Sequence, residues 1–90
     1  IRKVFIFIMF SIKKTVLRNG EVVQKTIKSQ HSSEADAVAE LHAKLFKKET
    51  IFGQKFKELK ENGRLIYELE LNYCPTVREI IRYQIIREEN

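Results

Sequence analysis

The chain has 90 residues, 43% hydrophobic and 32% charged, with a net charge of +5. That length makes residues 1–90 one small α+β-sized domain and excludes a two-domain cofactor enzyme or a repeat array. The apolar content suffices for a core and excludes intrinsic disorder.

The charge is unevenly placed. Residues 1–30 carry seven basic side chains and one acid, residues 31–62 six of each, and residues 63–90 four basic and five acidic. The basic excess therefore lies in the first third, where a polyanion would be attracted without regard to its sequence.

The N-terminal run Val4–Phe10 follows Arg2 and Lys3. It is too short to span a bilayer, which needs about 20 apolar residues. Lys13 and Lys14 follow it with no small-residue cleavage site, so a buried strand explains it better than a signal peptide. Both of its faces are apolar, which predicts cover on both sides. Phe5, Phe7 and Met9 are accordingly candidates for self-association, including a homodimer.

Residues 3–18 are rich in β-branched and aromatic side chains and predict strand. Arg18-Asn19-Gly20-Glu21 predicts a two-residue hairpin turn, because Asn-Gly suits the positive φ of type I′. A straight register from that turn sets Val16 opposite Val23 and Ile12 opposite Ile27. The polar side then holds Ser11, Lys13, Thr15, Gln24, Thr26 and Lys28. Lys14 and Lys25 fall directly opposite each other on the apolar side. Opposed like charges are unfavourable. Three outcomes relieve them: ammonium groups reaching past the core edge, an anion between them, or a bulge.

Ser32-Ser33-Glu34-Ala35-Asp36 opens a helix expected over 33–49, with Ser33 as N-cap and Val38, Leu41 and Leu45 as its buried stripe. In 50–61, Phe52, Phe56 and Leu59 fit a second helical stripe. The rival is a hairpin through Asn62-Gly63, which sets Lys57 opposite Glu68, Lys55 opposite Glu70 and Glu61 opposite Arg64. The opposite parity of Phe56 and Leu59 tips the expectation toward helix.

Residues 64–73 alternate as a strand that Cys74-Pro75 ends. Thr76-Val77-Arg78-Glu79 matches a capping box, and Val77, Ile80, Ile81, Gln84 and Ile85 keep helical spacing, so 76–88 is expected to be a terminal helix. A strand over 78–87 is the alternative, because four of its residues are isoleucine. The expected fold class is α+β: an antiparallel sheet of about three strands with two or three helices packed mainly on one face.

No catalytic or metal-ligand pattern is present. The glycines are isolated, and His31, His42 and Cys74 lack ligand spacing. No cofactor is expected, and the chain reads as a non-enzyme. A single cysteine allows no internal disulfide, which favours a reducing compartment and a cytoplasmic location. His42 reads as a half-buried histidine bonded to a backbone or carboxylate group. Two functions remain. One is a small basic accessory module holding nucleic-acid phosphates non-specifically through Lys13, Lys28, Lys14, Lys25 and Arg18. The other is a protein-interaction or self-associating module with no nucleic-acid role. Neither involves a membrane.

Overall fold

The structure, a computed structural model, describes residues 8–89 apart from the side chains of Lys28, Ser29 and Tyr73. The elements in chain order are β1 (Ile8–Arg18), β2 (Glu21–His31), α1 (Glu34–Phe52), β3 (Lys57–Glu61), β4 (Arg64–Cys74) and β5 (Val77–Glu89). The strands form one antiparallel sheet in the order β2-β1-β5-β4-β3. Among the described residues, five strands and one helix replace the expected three strands with two or three helices.

The largest correction is β5. Where 76–88 was expected to be a terminal helix, Val77–Glu89 forms the central strand. The isoleucine doublets explain why. In a strand, adjacent residues face opposite sides, and a central strand can bury both. Ile81, Tyr83 and Ile85 face α1, while Ile80, Gln84 and Ile86 face away. β-branching also favours the extended backbone. The supposed capping box instead makes the β4–β5 turn, where the Cys74 thiol and Thr76 hydroxyl lie 3.3 Å apart.

Residues 50–61 are the second correction. α1 runs on to Phe52, Gly53 closes it with its N–H donating to the Glu49 carbonyl at 2.8 Å, and β3 begins at Lys57. The apparent stripe was drawn from three elements. Phe52 ends the helix, Phe56 lies in the link, and Leu59 belongs to β3. Phe52 and Phe56 both pack on the core. The Glu49 carboxylate fixes the link by accepting the Phe56 N–H at 2.8 Å.

The expected first helix is present, with Ala37, Leu41 and Leu45 buried against the sheet. Ser33 holds the N-cap position in extended geometry, but its hydroxyl makes no capping bond. The core joins Leu41 and Leu45 to Ile12, Leu69, Leu71, Ile81 and Tyr83. The Phe56 ring stands edge-on to Tyr83, with centroids 5.8 Å apart. Burial raises the Tyr83 hydroxyl above its ordinary pKa. No described helix is long and apolar enough to cross a membrane.

Candidate anion-binding face

The side of the sheet turned away from α1 is assembled by register. Leu17 pairs with Val22 beside the Asn19-Gly20 turn, but Val16 pairs with Gln24. Val23 is the extra residue of a bulge that displaces β2 by one position as far as Lys28, and a second shift between Ser11 and Ile12 displaces Gln30 and His31 by another. Of the three ways to relieve opposed lysines, the fold uses the bulge. Lys14 now stands opposite Thr26 on the helix side, and Lys25 stands opposite Thr15 on the other.

One row then crosses every strand: Lys25, Thr15, Arg82, Glu68 and Lys57. The next row holds Ile27, Lys13, Gln84, Ile66 and Leu59. Lys13 and Lys25 are therefore diagonal neighbours. Burial first, and then the Lys25 charge, hold the Lys13 ammonium below its ordinary pKa.

Two acids on this face, Glu68 and Glu70, are engaged by arginines. Glu68 accepts from Arg82 Nε at 2.8 Å and from its Nη2. Glu70 accepts from Arg78 Nε at 2.7 Å, and this bond pulls its carboxyl below the usual range. Among the described residues, neither Lys13 nor Lys25 forms an ion pair. Both acids are thus matched by β5 arginines rather than by lysines of the first hairpin.

The remaining candidates separate. Arg18 lies at the end of β1 on the helix side, 3.3 Å from Glu79. Lys14 is half-buried on that same side, opposite Tyr83. The backbone of Lys28 stands opposite Ile12, not diagonal to Lys13 as the straight register had it, and its side chain lies outside the described residues. Ser11, expected on a solvated face, is fully buried with its hydroxyl unpartnered. Met9 is half-buried opposite Glu88, while Phe5 and Phe7 lie outside the described residues.

Sequence reasoning missed Arg82 and Gln84, because it placed both on a helix. The available signal was the Ile-Ile doublet on each side of them. His42 is exposed and stands edge-on to Tyr67 at 6.1 Å rather than half-buried. No group of acids, histidines and cysteine able to hold a metal occurs among the described residues.

This face can hold an anion by ammonium groups and by the Thr15 hydroxyl and Gln84 amide. Such donors suit phosphate without reading a base. Compared with protein-family models, curated proteins and solved structures, the chain matches none of them.

Proposed function

We propose that the protein is a non-enzymatic accessory module that contacts nucleic-acid phosphates through Lys13 and Lys25. The observation that carries this reading is the diagonal placement of like charges on β1 and β2, beside two arginines that are each matched to an acid. An anion between the lysines relieves their mutual repulsion and recovers the cost of placing them together. The neighbouring hydroxyl and amide hold phosphate but specify no sequence.

The test is fluorescence anisotropy with a labelled oligonucleotide across a salt series. The parent should lose affinity linearly in log salt. Lys13→Glu with Lys25→Glu should weaken binding and flatten the slope by roughly 0.7–0.9 per lost contact. Lys47→Glu with Lys48→Glu makes the same change in net charge on α1 and should cost less. Equal losses would assign the attraction to overall charge, and absence of binding at low salt would remove the reading.

The rival is a self-associating module, and the outer edge of β2 favours it. Val22, Val23 and Ile27 are 58%, 52% and 54% exposed along an edge with no strand beside it among the described residues. Such an edge is a template for another strand. A concentration-independent monomer mass in analytical ultracentrifugation would exclude this rival.

A further inference from the structure

The helix does not cover its side of the sheet evenly. It packs over β1, β2 and β5, and a groove of about 690 Å³ opens between it and the β3–β4 hairpin. Phe10, Val38, Leu41, Leu65 and Ile85 supply apolar walls. A second hollow of about 430 Å³ shares His42, Glu58 and Tyr67 with the first and continues toward Phe46 and Phe56. The two make one elongated trough along α1.

The trough is polarised from end to end. Lys60, Arg64 and Arg87 line it at the Asn62-Gly63 end, against Glu34 at the start of the helix. Arg87 also reaches Glu89 at 3.0 Å. The Glu58 carboxylate, farther in, is engaged by the Tyr67 hydroxyl, which burial and that charge together push above its ordinary pKa. At the far end the Glu49 carboxylate is taken by the Phe56 N–H. Cationic surplus therefore sits at one end, and aromatic and aliphatic walls fill the rest.

We infer that this trough binds a small amphipathic carboxylate of the medium-chain fatty-acid type. The head group lies at Lys60 and Arg64, and the chain runs along α1 toward Phe46. The volume falls in the range of small-molecule sites, and apolar walls with a few placed polar groups are their usual lining. Arginine suits the head group because its planar fork matches a carboxylate in two-point contact. The trough opens on the α1 side of the sheet, away from Lys13 and Lys25, and Arg64, opposite Glu61 at the strand end, borders both sides.

Decanoate and decanol, titrated by calorimetry and by NMR shifts of His42 and Tyr67, separate head from chain. Decanoate should bind with Kd on the order of 0.1–1 mM, the range its atom count allows. Lys60→Glu with Arg64→Glu should weaken decanoate about tenfold or more and leave decanol within about twofold, the difference of a lost charge-assisted contact. Leu65→Ser should weaken both. Lys13→Glu with Lys25→Glu carries the same charge change on the other face and should leave decanoate unchanged. Decanoate failing to bind the parent overturns the inference. So does an equal loss from the two lysine-bearing double variants.

Discussion

Two hairpins in this molecule turn on the same dipeptide. Asn19-Gly20 and Asn62-Gly63 both hold positive φ, at 51° and 85° in the first and 53° and 76° in the second. The strands they launch behave differently. The second hairpin keeps a straight register through all five pairs, from Glu61–Arg64 to Lys57–Glu68. The first keeps two pairs and then bulges at Val23. A straight second hairpin already sets opposite charges across from each other. A straight first hairpin would oppose Lys14 with Lys25, and the bulge separates them. A turn thus fixes the pairs beside it, and side chains decide whether the register survives beyond them.

The glycines give the largest test of this comparison. Nothing lies within 4 Å of a Cβ built at Gly20 or Gly63, so the cost of a side chain there is backbone strain alone. Gly20→Val and Gly63→Val should each destabilise by about 1–2 kcal/mol in urea denaturation. Gly20→Val should cost more, because its turn is tied to β5 and its strand is flanked on both sides. Equal midpoints for parent and variants would show that neither turn constrains the fold.

The asparagines separate the hairpins next. The Asn19 amide donates to the Thr76 carbonyl at 3.2 Å, and its Oδ1 accepts the Arg78 N–H at 2.9 Å. The Asn19 N–H donates to the Arg78 carbonyl at 2.8 Å. One turn residue therefore holds the start of the central strand. Asn62 has no such bonds among the described residues, so it supplies conformational preference alone. Asn19→Ala should cost roughly 1–1.5 kcal/mol and Asn62→Ala under about 0.5, since each exposed hydrogen bond contributes about 0.5–1. A reversed order would mean that the bonds to Thr76 and Arg78 contribute nothing net.

A smaller effect probes the charged ladder of the second hairpin. Lys57→Glu sets a like charge opposite Glu68, which should cost a few tenths of a kcal/mol. Thermal midpoints at low and high salt should converge, because exposed charges are screened.

The Asn19-Gly20 turn was legible from the sequence because Asn-Gly is a local signal. At Asn62-Gly63 the same signal was passed over for a helical stripe that joined Phe52, Phe56 and Leu59 across three segments. Also legible were α1, whose Val38–Leu41–Leu45 stripe is regular, and the alternation of β4. The central strand was not. Val77, Ile80, Ile81, Gln84 and Ile85 satisfy a helical stripe and a strand buried on both faces equally well. Only neighbours distant in sequence choose between them. The same limit hid most of the candidate face. Lys13 and Thr15 were placed on the correct side of β1 by parity. Lys25 joined them only through the bulge, and Arg82 and Gln84 only through the pairing of β1 with β5. The trough beside α1 was not legible at all, since it depends on which half of the sheet the helix leaves uncovered.

The smallest effect on stability gives the sharpest reading of the bulge. Burial and Lys25 hold the Lys13 ammonium below the ordinary lysine value of 10.5. The folded protein therefore binds that proton less tightly than the unfolded chain does. The penalty is full at any pH below the lowered folded value and is relieved as pH rises from there toward 10.5. Lys25→Gln removes the charge and should raise the Lys13 pKa toward its ordinary value in an NMR titration of the Nζ resonances. At neutral pH, where the penalty is full, the variant should be no less stable than the parent, with a gain of under about 0.5 kcal/mol. Lys14 should not respond, because it projects from the other side of β1 and faces Thr26. A straight hairpin reverses this result: Lys14 would then stand opposite Lys25, and its resonance, not that of Lys13, would move.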